Sequence, residues 1–147
     1  MKILITGING SLGLNTAIQL YEKGYEIIGF GHLKNNSHPI INKIEFIEGD
    51  LLDKEKLKKV ISTVNVIFHF GAQTGFKKSM RDYIDSNILG TQNIIDIIIE
   101  ETYPIQKIIF ASSSAVYGEG AYECSEHGVL SPKNRILSNL ENGIWNL

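Results

Sequence analysis

The chain has 147 residues, 43% of them hydrophobic and 20% charged, which suits one domain with a packed core. Its net charge of -2 gives no basis for a nucleic-acid or anionic-membrane partner, and no apolar stretch reaches the roughly 20 residues that a membrane-crossing helix needs. Cys124 is the only cysteine, so an internal disulfide is excluded, and His32, His38, His69 and His127 are scattered without metal-ligand spacing.

The N-terminus enters an apolar run at once, with no basic region and no cleavage site. No signal peptide is expected, and with a lone cysteine a cytoplasmic setting is the expectation. Residues 2–6 read as a short buried strand. Leu12, Ala17, Ile18, Leu20 and Tyr21 then recur at helical spacing over 12–23, and Gly24 is a natural stop. Residues 25–30 form a second apolar run, and 31–42, with Gly, Asn, Ser, His and Pro39, read as loop. A third strand is expected over 44–47, followed by a helix capped by Asp53 with Leu57, Val60 and Ile61 on one face. Residues 65–70 give a fourth strand and 107–112 a fifth, with a helix over 85–101 closed by Pro104 between them. After that the pattern weakens, and 135–147 is expected to hold one short helix. Strands alternating with helices imply right-handed crossovers. The fold class is therefore α/β: a doubly wound parallel sheet in three α/β/α layers, expected as one domain over 1–147.

The turn after the first strand reads "GINGSLG", with Gly7, Gly10 and Gly13 three apart. A first glycine permits a tight turn, a second lets a diphosphate approach the main chain, and a third lets the helix pack close to the strand. The helix N-terminus then presents free N–H groups and a positive dipole end. Two readings stand: a dinucleotide diphosphate site, or glycines that serve packing alone. Where such sites usually carry an acidic residue for the adenosine ribose, the second strand ends in Gly31, followed by His32, Leu33 and Lys34. Without that carboxylate a 2′-phosphate meets no repulsion, and His32 or Lys34 can face it. NADP is then accepted as well as NAD. The alternative is that both are solvated loop residues.

The spacing Gly7-x-x-Gly10-x-x-Gly13 resembles that of the extended short-chain dehydrogenase/reductase family, the NAD-dependent epimerases and dehydratases of nucleotide sugars. Further segments resemble the same family in the same order: "EGDLLD" at 48–53, "VIFHFGAQ" at 66–73, "YIDSNILGTQNIID" at 83–96 and "IIFASSSAVYGEG" at 108–120. The resemblance covers 1–120, and 121–147 diverges. It implies a Rossmann-like fold without a full substrate lobe, with NAD or NADP as cofactor and a nucleotide sugar as a second partner. It also implies that two copies pair through the 85–101 helix, whose isoleucines are otherwise core. The cofactor-binding residues it implies are Gly7, Asn9, Gly10, Ser11, Leu12 and Gly13 at the turn. His32, Asp50 and Leu51 follow at the adenosine end, with Asp50 meeting the adenine. Phe70, Gly71, Ala72 and Gln73 lie beneath the cofactor, with Asn87 and Ser112. For Asn87 a structural hydrogen bond to strand backbone is the competing reading. His69, inside a strand, reads as a satisfied core histidine rather than a base.

Family chemistry uses a tyrosinate base, a lysine four residues on that lowers the tyrosine pKa, and a Ser or Thr that orients the substrate oxygen. Ser113, four before Tyr117, matches the Ser/Thr; a serine satisfying its own backbone is the alternative. When the pattern is laid over "KNRILSNLENG" at 133–143, Arg135 stands in the tyrosine's place and Asn139 in the lysine's. Arginine stays protonated and cannot act as a base; asparagine carries no charge. The pair Tyr103 and Lys107 has the right spacing, but Pro104 breaks any helix between them, and neither Tyr117 nor Tyr122 has a lysine four residues on. The expected function is therefore NAD(P) binding with impaired or absent redox turnover. The alternatives are a non-catalytic sensor or scaffold module, or a decayed, truncated relative.

Overall fold

The computed structural model describes residues 1–32, 38–75, 79–118, 120–131 and 135–145. The chain divides into two compact units, Met1–Ala111 and Ser112–Leu147. The first is built on β1 (Lys2–Thr6), β2 (Glu26–Gly31), β3 (Glu45–Glu48), β4 (Val66–His69) and β5 (Lys107–Phe110). All four pairings are parallel, in the order β3-β2-β1-β4-β5. This is the Rossmann-like arrangement that the alternating pattern predicts.

β1 is central because Ile3, Leu4 and Ile5 form an unbroken apolar run, each at most 1% exposed, as a strand covered on both faces requires. Alternate side chains feed two cores. Leu4, Ile28, Phe30 and Ile67 pack with Leu57, Val60 and Ile61 of α2 (Lys54–Ile61) and with Ile94 and Ile97 of α4 (Gly90–Glu100). Ile3, Ile5, Ile27 and Val66 point the other way, toward Ala17 of α1 (Ser11–Glu22) and Ile8. Asp53 caps α2 as expected, its carboxylate accepting the Lys56 N–H at 3.0 Å.

Three elements differ from expectation. The helix predicted over 85–101 begins five residues earlier, at α3 (Met80–Tyr83). Ser79 and Asp82 cap each other's backbone there. It then passes through a π-helical turn, Ile84–Leu89, before α4. The predicted loop contains a 3-10 turn, Pro39–Asn42, that buries Ile40 and Ile41 under the α1 face; Leu33 and Lys34 lie outside the described residues. The second unit holds a short antiparallel pair, β6 (Tyr122–Cys124) and β7 (Gly128–Leu130), and α5 (Leu137–Glu141), which is shorter than the segment predicted to hold it. Strands of three residues are too short to print a periodic pattern. Among the described residues no helix is long and apolar enough to cross a membrane.

Of the isoleucines near α4, Ile94 and Ile97 are buried while Ile88 and Ile99 are exposed. Truncation should separate them. Ile67→Ala or Ile94→Ala is expected to lose about 2–5 kcal/mol in urea unfolding, since each leaves a cavity in a closed core. Ile99→Ala is expected to stay within about 0.5 kcal/mol of the parent.

Candidate functional site

The sheet reverses its winding between β1 and β4, and the loops leaving those two strands meet there. Gly7 follows β1 with φ +67°, and its N–H donates to the Phe30 carbonyl at 3.0 Å. A Cβ on Gly7 would lie 2.6 Å from the Gly71 nitrogen and 2.7 Å from the Phe70 carbonyl carbon, so both φ and space demand glycine. The turn closes with the Gly10 N–H donating to the Gly7 carbonyl at 2.9 Å, and the Leu14 N–H to the Gly10 carbonyl at 2.9 Å opens α1. At Gly13 a Cβ would come within 2.9 Å of Ile8 Cα, so the third glycine lets the helix press on its own turn. Helix geometry leaves the N–H groups of Ser11, Leu12 and Gly13 without intrahelical acceptors. Among the described residues no side chain caps Gly10 and no acid sits in the first turn of α1.

These loops border an open cleft of about 230 Å³. Of the residues predicted, Gly7, Asn9, Gly10, His32, Leu51, Gly71, Ala72 and Gln73 line it. Phe30, Gly31, Gly49 and Ser86 line it too and were not among the predicted site residues. Gly49 lies in the "EGD" segment and was legible; Ser86 lies in the π-helical turn, which leaves no mark in sequence. At the β2 end, a Cβ on Gly31 would meet Asn9 Nδ2 only at an ordinary 3.6 Å. Sterics do not require glycine there. His32 Nε2 stands 3.1 Å from Asp50 Oδ2, while Asp50 Oδ1 accepts the Leu52 N–H at 2.8 Å.

Asn87 holds Gln73 by both backbone groups: Oδ1 accepts its N–H at 2.7 Å and Nδ2 donates to its carbonyl at 3.1 Å. Asn87 borders a neighbouring cavity, with His69, Thr91 and Phe110. His69 is 6% exposed, lies 2.7 Å from Thr6 Oγ1 through Nδ1 and 2.9 Å from Thr91 Oγ1 through Nε2, and meets the Phe110 ring edge-on. Ser112 and Ser113 belong to the second unit, where Ser113 Oγ accepts the Ala115 N–H at 3.2 Å. Arg135 donates to the Trp145 carbonyl, and Asn139 sits in α5. Lys107 opens β5, so it shares no helix with Tyr103. Among the described residues no three His, Cys, Asp or Glu side chains converge as metal ligands.

Residues 3–134 match the model of the NAD dependent epimerase/dehydratase family, nine-tenths of the chain. The chain belongs to that family. A putative UDP-glucose 4-epimerase of Methanocaldococcus jannaschii is 38% identical over 129 residues, covering 82% of this chain and 41% of that protein. The crystal structure of UDP-glucose 4-epimerase from Brucella ovis in complex with NAD superimposes with a TM-score of 0.68 at 28% identity, covering 82% of this chain and 38% of the other. The Thermotoga maritima UDP-glucose 4-epimerase with UDP-glucose gives 0.68 at 28%, covering 83% and 41%. The chain thus spans about two fifths of the length of each of these relatives.

Burial lowers the His69 pKa to about 4 from an ordinary 6.5. Between those values the unfolded chain binds more protons than the folded one, so stability rises with pH across that window. The contribution, on the order of 3 kcal/mol, is present above pH 6.5 and is lost as pH falls through 4. Chemical denaturation at about pH 7 and about pH 4.5 checks this: the acid-induced loss should be about 2 kcal/mol smaller in His69→Gln than in the parent. Equal losses would contradict it.

Proposed function

We propose that the chain holds NAD or NADP in the cleft above β1 and β4 and, by itself, performs no epimerase or dehydratase turnover. The observation that carries the binding half is main chain laid bare where the sheet reverses. Gly7 and Gly71 leave no side chain between the two loops, and α1 begins there without a cap of its own. These features fit a diphosphate: free N–H groups of Ser11, Leu12 and Gly13, a positive dipole end and no competing carboxylate in the first helical turn. The family model and the NAD complex of the Brucella ovis relative support the same reading. Gly71, Ala72 and Gln73 would support the nicotinamide half. Bound there, the nicotinamide supplies a hydride acceptor.

The second half of the proposal rests on what stands where the family places its base. Arg135 keeps its proton near neutral pH, and its guanidinium is engaged with the Trp145 carbonyl. Asn139 brings no cation to lower a neighbour's pKa. Ser113 accepts the Ala115 N–H and keeps its hydroxyl proton to donate. The chain thus keeps the groups that hold a dinucleotide and lacks, at positions 135 and 139, those that would move a proton. Calorimetry with NAD and NADP, followed by a UDP-glucose turnover assay on the same preparation, tests both halves. Saturable heat without turnover is expected. No heat with either nucleotide overturns the binding half, and sustained turnover overturns the other.

At the adenosine end, His32 is the basic side chain that faces a 2′-phosphate among the described cleft residues, and its Nε2 stands 3.1 Å from Asp50 Oδ2. A 2′-phosphate therefore competes with Asp50 for His32. Asp50→Asn is expected to raise the affinity for NADP relative to NAD by about tenfold. An unchanged ratio in the two titrations would show that His32 takes no part in the choice.

A further inference from the structure

We propose that His69 is the positioning residue of this cleft: as the neutral, Nε2-protonated imidazole it fixes the hydroxyl directions of Thr6 and Thr91, and through them the backbone of Gly71–Gln73 that floors the cleft. The proposal rests on the dinucleotide reading above for its consequence, and on donor counting for its geometry. Thr91 has one hydroxyl proton, and Oγ1 donates it to the Asn87 carbonyl at 2.8 Å. Toward His69 Nε2, at 2.9 Å, Thr91 then has only a lone pair to offer, so Nε2 carries the ring proton. Nδ1 is left bare. Thr6 Oγ1, at 2.7 Å, donates to it, and with its own proton directed there presents a lone pair to the Gly71 N–H at 3.0 Å. The other tautomer would set two lone pairs against each other at Thr91 and leave Thr6 with two incoming donors.

The consequence falls on the cleft. Gly71 is the residue against which Gly7 has no room for a Cβ, so its backbone position sets the gap between the two loops. Two residues on, Gln73 is gripped by Asn87, whose carbonyl receives the Thr91 proton. One imidazole thereby ties the end of β1, the loop after β4 and the π-helical turn into a single donor-to-acceptor sequence. The edge-on Phe110 ring at 5.7 Å packs against the imidazole. Burial keeps the ring neutral at ordinary pH.

Two measurements on the full chain test this. In ligand-free protein at neutral pH, nitrogen-15 ring spectra should show His69 with Nε2 protonated and Nδ1 bare; an Nδ1-protonated ring overturns the proposal. In NAD titrations, His69→Asn, whose Oδ1 can still accept from Thr6, should bind within about threefold of the parent. His69→Leu, which leaves both hydroxyls without their partner, should bind at least about tenfold more weakly. Parent-like binding by His69→Leu, or equal weakening in both variants, overturns the proposal while leaving dinucleotide binding intact. Failure of the parent to bind NAD overturns it together with the functional reading. Should the Leu variant not fold, the ring spectrum of the parent still decides.

Discussion

Two backbones meet without side chains between them: the loop leaving β1 at Gly7 and the loop leaving β4 at Gly71. That approach is possible only because β1 and β4 are parallel neighbours in register, with Thr6 opposite His69, so that both loops leave from the same end of the sheet. It places the start of α1 over bare main chain, with Gly13 allowing the helix to sit against its own turn. A side chain at 7 would not merely narrow the cleft; it would force the loops apart, because the atoms it meets within 2.7 Å are backbone, whereas at 71 it would press on Leu51, Thr6 and the Gly7 nitrogen at 3.1–3.3 Å.

Legibility in the sequence followed the strength of local patterns. The five strands and the helices after Gly10 and Asp53 showed as apolar periodicity and caps, because strands buried on both faces and one-sided helices leave plain signatures. The glycine spacing pointed to the cleft for the same reason: a steric demand at a fixed interval is written residue by residue. Ser79 and Asp82 form a reciprocal cap whose pattern was present and passed over, which set the start of the helix too late. The π-helical turn was out of reach, since one extra residue in a helical turn alters no composition. Ser86 was missed with it. The His32–Asp50 pair and the Thr6–His69–Thr91 sequence join residues far apart in the chain through tertiary register. No spacing rule reveals such partners.

His69 also shows how a buried polar residue in a parallel strand can be both satisfied and consequential. An apolar side chain there would leave both threonine hydroxyls without the imidazole between them. Holding a dinucleotide and turning over a sugar place separate demands on the chain. In the proposed reading the first rests on backbone geometry in Met1–Ala111. The second would call on side chains at positions 113, 135 and 139, which belong to Ser112–Leu147, where Arg135 and Asn139 stand.

The central claim is that a diphosphate binds on the main-chain amides at the start of α1. Amide-resolved NMR of the isotope-labelled chain during NAD addition reads it most directly. The largest shifts are predicted at Gly10, Ser11, Leu12 and Gly13, saturating together with those at Gly71. Saturating NAD with these amides unmoved, or shifts centred on another face of the sheet, would contradict it.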